Sequence, residues 1–471
     1  VRRPFVRGFA LTAAGSAAVA SVSLVRNVII ARVMGPAAFG LWQWCALALR
    51  FTVESHLGAI SVLTAEAAVH RGAGRSDAAR DMERRAVSLT VLLALLAAAA
   101  VAALFAIGNG PATYAAAGVL GATVVLQQQF FADCSVLRSR GVFGRVAASQ
   151  VVFAAVHLAG LALLVPSRFV TGALISWALA LAAAVAVMRV RATEPMPPAV
   201  PGLAGAGLVR RGLPAYLIGL TFTAQLLTDR VVVGTLLGTE ALGFYGTLVL
   251  VAQALLFVPD ALGGVLWPVA GEHFGRAGED PAALSRIAER SVRGLAVLSA
   301  GVLATALAAT DVIVDWKLPN FAPALPAARP YLAGVCLLAL TIPLRSLLVT
   351  ARATRPTLVV QLLVLALAVA VECAACTGGG DRIGDLGRVA TASAAAAVVL
   401  LALMLAVASS RRVLAAPTAV RLFAETAVLV AAALALDHAL TDAAWWVRLA
   451  VPASLAGTAA LTIAVRALRA R

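Results

Sequence analysis

Charged and amide side chains that interrupt long apolar runs are where this chain could do chemistry. Arg26 and Asn27 sit in the run 9–33, and Asp229 and Arg230 in the run 214–237. Arg50 and Glu54 lie four apart in 38–66, a spacing that puts both on one helical face. Gln127, Gln128, Gln129 and Asp133 crowd one end of 112–135, and Gln253 and Asp260 fall in 242–270. Each ionisable group in such a run costs about 2.5–3.5 kcal/mol on insertion scales and faces a cavity or a partner. Guanidinium forks match phosphate oxygens. Arg26, Arg230 and Arg50, with Asn27 beside the first, are therefore expected to line a polar cavity that grips an anion. Glu54, Asp133, Asp229, Gln127, Gln128 and Asp260 are candidate cavity groups or carriers of a coupling ion. The competing reading is that Arg50–Glu54 and Asp229–Arg230 neutralise one another and staple helices together.

The remaining polar groups are expected to be quieter. Consecutive residues point about 100° apart on a helix, so at most two of the three glutamines should share a face. Arg345 lies near the end of its run and should snorkel. Glu372 should sit at an interface, and His157 should bond to a neighbouring helix. The five cysteines, Cys45, Cys134, Cys336, Cys373 and Cys376, read as small buried hydrophobes. A structural zinc site needs four ligands, and the Cys373–Cys376 pair has no second pair or histidine cluster to complete one. Walker A, HExxH and GxSxG motifs are absent from the sequence. Neither catalytic residues, a metal nor a cofactor is expected, and Thr377–Asp381 reads as a glycine-rich turn.

The elements that must position these groups follow from composition. Of 471 residues, 62% are hydrophobic and 13% charged, with a mean hydropathy of +0.95. Soluble domains carry about 25% charged residues, so this is an all-α polytopic membrane protein. Its net charge of +16 does not point to nucleic acid, because the arginines are spaced between apolar runs instead of forming one patch. A crossing needs roughly 20 apolar residues. Fourteen runs qualify: 9–33, 38–66, 87–107, 112–135, 147–165, 169–188, 214–237, 242–270, 292–314, 331–350, 357–374, 389–408, 422–438 and 446–465. The first begins like a signal peptide but stays apolar to Val33, long enough to span. The second and eighth exceed a straight crossing and should tilt or continue out of the bilayer. With the N-terminus inside, 27 of the 38 lysines and arginines fall in inside segments, seven outside and four within spans. That imbalance places both termini in the cytoplasm of a multi-pass cell (plasma) membrane protein.

The chain also repeats. Leu24–Trp42 returns 203 positions later as Leu227–Tyr245, with five of nineteen positions identical, including Gly35/Gly238 and Gly40/Gly243. The same offset matches His70-Arg71-Gly72 to His273-Phe274-Gly275 and Asp77 to Asp280. Six spans separate the copies, so the repeat is parallel, about an axis along the membrane normal. The expected organisation is a six-helix bundle at 1–191, a Pro/Gly-rich cytoplasmic linker at 192–213, a second six-helix bundle at 214–408 and two further helices at 409–471. Asp280-Pro281 should open a surface helix as N-cap and N1.

The arginine-bearing first helix, the step Met34-Gly35-Pro36-Ala37-Ala38-Phe39-Gly40-Leu41, the stretch Gly263-Gly264-Val265-Leu266-Trp267-Pro268 and the parallel repeat together resemble the polysaccharide (oligosaccharide) flippase family. That family belongs to the multidrug/oligosaccharidyl-lipid/polysaccharide exporter superfamily, with the multidrug and toxin extrusion transporters and the lipid II flippase. The resemblance implies two bundles around a central cavity and alternating access without ATP. It implies a polyprenyl-diphosphate-linked glycan turned from inner to outer leaflet, with Arg26 and Arg230 meeting the diphosphate. Partners would be that lipid-linked glycan, membrane lipids, and glycosyltransferases and a polymerase of the same pathway, with no nucleic acid. Asp229 beside Arg230 departs from a purely cationic site. A drug/cation antiporter of the same superfamily is the alternative reading, and a membrane scaffold or polysaccharide polymerase the non-transporting one.

Overall fold

The computed structural model describes residues 2–109, 114–190, 194–376 and 382–469, without the side chains of 2–24, 459–469 and a few positions within helices. Residues 192–193 of the expected linker and the turn Thr377–Asp381 lie outside the described residues, as do the side chains of Trp267 and Pro268. Everything regular among the described residues is helical: α1 (Arg2–Thr52), α2 (Ala59–Gly72), α3 (Ser76–Asn109), α4 (Tyr114–Ser139), α5 (Phe143–Arg189), α6 (Ala206–Val232), α7 (Thr239–Arg276), α8 (Ser285–Lys317), α9 (Leu325–Thr350), α10 (Thr354–Ala375), α11 (Arg382–Ser410), α12 (Ala416–Ala439) and α13 (Trp445–Arg469). Among the described residues, 11 stretches are long and apolar enough to cross a membrane. The stretch in α5 holds two of the expected crossings, the stretch in α1 joins the end of the first to the start of the second, and the last expected crossing falls on α13.

The breaks inside α1 and α5 turn each into a hairpin. Gly35 (φ 71°, ψ 174°) interrupts α1 just before Pro36, in a region of backbone space open essentially to glycine alone. Arg26 and Trp42, on either side of it, both reach Trp177, at 4.8 and 5.6 Å. In α5 the break is Phe169 (φ 43°, ψ −124°), after Pro166. A Cβ on Gly160 would meet Ser176 and one on Gly172 would meet Leu164, so the two arms run antiparallel at glycine-only separation. Between α6 and α7 the same turn recurs after a π-helical stretch, Val233–Leu237, at Gly238 (φ 98°, ψ 173°). Gly238 is the repeat equivalent of Gly35, and the two backbones agree. Tyr245, the equivalent of Trp42, reaches across to Asp229, the equivalent of Arg26. Duplication thus has a geometric counterpart at the residues that initiate each half.

The second expected span does not run on as one helix. α1 stops at Thr52, a 3-10 turn covers Val53–His56, and α2 follows after left-handed Leu57 and Gly58. Arg50 and Glu54 therefore do not share a helical face. α7, by contrast, is continuous over 38 residues. Asp280 caps the turn Pro281–Leu284 ahead of α8 as expected, its Oδ1 accepting from Ala282 N at 3.0 Å.

The chain divides into two compact units, Val1–Leu220 and Thr221–Arg471. In the first, α1 packs on α5, and α4 packs on α3 and α5, with α2 against α3 and α4. In the second, α9 is the most buried of the crossings among the described residues, held by α7, α8 and α11. α10 leans on α11, and α12 and α13 lie along α8. α6 begins at Ala206, inside the stretch read as linker. The part before it is strapped to the first unit. Arg140 donates to the carbonyls of Glu194 (3.1 Å) and Pro195 (3.2 Å), and Arg189 to that of Pro197 (3.3 Å). Glu83, fully buried, anchors Arg140 (2.6 Å) and Arg71 (2.8 Å) beneath the strap. Cys45, Cys134 and Cys336 are buried as expected, but Cys373 and Cys376 are only half-buried because they sit at the frayed end of α10.

Candidate functional site

The first unit centres its polarity on Arg26, which is 7% exposed. Its guanidinium lies 4.8 Å from the Trp177 ring centroid, and its Nε donates to Asn27 Oδ1 at 3.1 Å. No aspartate or glutamate pairs with Arg26 among the described residues. Around it an aromatic train runs from Trp42 through Trp177 and His157 to Phe153, with centroids 5.6 Å apart at each step. His157 behaves as expected of a helix-bridging residue, its Nδ1 2.9 Å from Ser176 Oγ across the α5 hairpin. The ring face attracts the guanidinium, and desolvation sharpens the cation's need for an anion.

The glutamine run is split as expected, although all three are buried: two glutamines turn toward α1 and the turn beyond it, and the third bonds within its own helix. Gln127 donates to the Leu49 carbonyl at 2.9 Å, and Gln128 to the Thr52 carbonyl and to Ser55 Oγ (2.9 Å). The last carbonyls of a helix have no intrahelical partner, and here the two amides supply one. Gln129 donates to Asp133 at 2.7 Å, and Asp133 also takes a two-point bond from Arg189 at 2.7 and 2.9 Å. These groups serve the architecture of α1, α4 and α5. Arg50 and Asp260 are exposed on their helices, and Glu54 is half-buried in its 3-10 turn.

The second unit carries a different polar centre. Asp229, 3% exposed, accepts from the Arg230 backbone N–H (2.7 Å) and from Tyr245 Oη (2.9 Å). The Arg230 guanidinium turns away from that carboxylate to Tyr331 Oη, at 3.2 Å. Asp229 and Arg230 thus do not form the side-chain pair considered from sequence. Asp229 instead lines a small cavity with Gln225, Glu372 and Ser393, of which about 30 Å³ admits water. Glu372 was expected at an interface, yet it is 1% exposed, and its Oε2 is buried with no hydrogen-bond partner. Its burial has a sequence signature that went unread. The buried positions of α10 are Thr357, Gln361, Val364, Ala368 and Glu372, one face at helical spacing. Gln361 ties that face to α6, accepting from Thr221 at 2.9 Å, while its carbonyl accepts from Gln225 at 2.9 Å. Arg345, expected to snorkel, stacks over Phe222 at 4.3 Å.

Residues 29–320 match the family described as Polysaccharide biosynthesis protein. The chain belongs to that family. No curated protein matches it. Among solved structures, it resembles an inward-facing multidrug resistance MATE family transporter of the MOP superfamily, at 13% identity over 90% of this chain and 96% of that one, with a TM-score of 0.60. A mutant of the Vibrio cholerae MATE transporter VcmN gives 15% identity, 87% and 97% coverage and a TM-score of 0.62. MATE in complex with MaL6 gives 14%, 85% and 96%, and 0.61. The fold is that of MATE transporters of the MOP superfamily, and this member of the polysaccharide biosynthesis family is a multi-pass membrane protein. Within it, one unit presents a buried cation with no acidic partner among the described residues, and the other presents two buried carboxylates at one small cavity.

Proposed function

We propose that the protein is a flippase that carries a polyprenyl-diphosphate-linked oligosaccharide from the inner to the outer leaflet by alternating access, for surface polysaccharide assembly at the plasma membrane. The observation that carries this reading is Arg26. A buried guanidinium over the Trp177 ring, 4.8 Å from its centroid and with no acidic partner among the described residues, is a poor stabilising element but a good seat for a diphosphate. Family membership supports a polysaccharide pathway, in which membrane lipids, glycosyltransferases and a polymerase would be the neighbours. Arg230 is the lesser anion ligand, since Tyr331 engages it and Asp229 adjoins it. The Asp229–Glu372 cavity, with room for about one small ion, is where a cation or proton would couple transport to a gradient.

The test is leaflet transfer of a fluorescent polyprenyl-diphosphate glycan in proteoliposomes. Wild type should transfer it, and Arg26→Ala should lower the rate at least tenfold, the worth of about one hydrogen bond to a charged group. Transfer by wild type that Arg26→Ala leaves untouched would keep the function and discard the site. The buried acid pair favours one rival, a drug/cation antiporter. Gradient-driven efflux of cationic dyes, with no glycan transfer by the same liposomes, would establish that rival.

A further inference from the structure

At one end of the second unit, four helices bring two acids and two arginines together, apart from the cavity at Asp229 and Glu372. Arg329 at the start of α9 pairs with Asp437 near the end of α12 (Nε to Oδ2, 2.9 Å), and Arg448 of α13 pairs with Asp311 of α8. Between them lies a cavity of about 230 Å³, lined by Asp311, Arg329 and Asp437 with Leu307, Leu325 and Pro326. Besides the Arg448 Nε, which is buried without a hydrogen-bond partner, the pairs leave two valences open among the described residues. Arg329 offers only its Nε to Asp437, and its side chain remains 48% exposed. Asp437 is 4% exposed, and its Oδ1 is buried with no hydrogen-bond partner. A buried carboxylate oxygen without a donor is a strong request for one.

The depth of this crevice in the bilayer follows from its neighbours. Trp316, Trp445 and Trp446 are exposed by 72%, 61% and 60%, and the rings of Trp316 and Trp445 stack at 6.4 Å. Lys317 lies over the Trp316 ring at 4.0 Å. Exposed tryptophans and a terminal lysine mark the level of lipid headgroups. Asp311 is about 9 Å along the helix from Lys317, at 1.5 Å per residue. The volume is smaller than the roughly 300–1,000 Å³ of pockets for drug-sized ligands, so neither a drug nor an oligosaccharide fits. It exceeds the roughly 30 Å³ of a single water.

We propose that this crevice holds the headgroup of an aminophospholipid, its phosphate on the free Nη atoms of Arg329 and its primary ammonium against Asp437. The two charges of such a headgroup, opposite and a few atoms apart, complement the two open valences in sign and order. A choline headgroup carries the same charges, but its quaternary nitrogen has no N–H to give the carboxylate. The inference is independent of what the protein transports.

The experiment is native mass spectrometry of the delipidated full-length protein, titrated with phosphatidylethanolamine and with phosphatidylcholine of the same acyl chains. Wild type should retain one phosphatidylethanolamine about tenfold more tightly than phosphatidylcholine, the worth of one charge-assisted hydrogen bond. Asp437→Asn and Arg329→Gln should erase that preference. Arg352→Gln, which breaks a surface pair with Glu279, should keep it. Equal retention of the two lipids by wild type would overturn the proposal without recourse to any variant, as would a preference that both crevice variants preserve. Displacement of the lipid by soluble O-phosphoethanolamine at comparable concentration would also overturn it, since the ligand would then be a free phosphate ester.

Discussion

Gln128 and Arg26 look alike in a hydropathy plot, as polar residues in apolar helices, yet they stand in opposite positions. Gln128 meets its partners on α1 and the turn beyond it, so it completes the structure. Arg26 meets Asn27 and the Trp177 ring but no acid among the described residues, which on the function proposed above leaves it to the substrate anion. The difference predicts opposite phenotypes. Gln128→Leu should lower stability by about 1–3 kcal/mol by orphaning the Thr52 carbonyl, seen as a drop in thermal midpoint, with transfer per folded molecule unchanged. Arg26→Ala should do the reverse. Composition marks both residues as anomalous, but only the fold says whether a neighbour answers. That is why the sequence could single out Arg26 and the glutamines together but not tell their surroundings apart. Glu372 was misplaced for a related reason: proximity to a helix end suggested an interface, while the face it shares with Gln361 decided its burial.

Helices were largely legible because the bilayer imposes one length and one polarity on them, and each expected crossing lies on helix except the second. That one fails at Thr52, where α1 yields to a 3-10 turn and left-handed Leu57 and Gly58. Gly58 (φ 85°) also lies so close to Gly212 of α6 that a Cβ would come within 2.8 Å of its backbone. Gly74 has a similar φ, 74°, with nothing within 4 Å. The pair separates strain from crowding. Gly74→Ala should cost about 1–2 kcal/mol from left-handed backbone alone. Gly58→Ala should cost a further ~1–3 kcal/mol from overpacking. Equal losses in thermal or denaturant unfolding would show that the Gly58–Gly212 approach does not constrain the fold. Such contacts leave little trace in one sequence, since a crowded glycine and a merely bent one are the same letter.

At the scale of the whole molecule, the stretch around Gly35 returns around Gly238 with the same backbone turn, and the two copies of that stretch differ in charge at one matched place. Arg26 and Asp229 occupy equivalent positions, each across a hairpin from an aromatic residue, Trp42 or Tyr245. On the reading proposed here, one copy seats the substrate anion and the other the driving cation. Glu372→Gln should therefore leave passive glycan equilibration intact while abolishing its acceleration by an imposed proton or sodium gradient, measured in the same proteoliposomes. Acceleration that survives the substitution would move coupling elsewhere. The strap at 194–197, gripped by Arg140 and Arg189 over Glu83, shows that even the join between the copies is ordered. Its Pro and Gly content had suggested only a tether.

The α5 hairpin bears on how the protein is made. Its two crossings reverse at Phe169 without an intervening loop, and their arms touch where Gly160 meets Ser176 and Gly172 meets Leu164. A growing chain has no exposed segment there at which to pause with one arm inserted and the other still in the ribosome. The two arms would have to leave the translocon as a single folded pair, with the His157–Ser176 bond made before either side chain meets lipid.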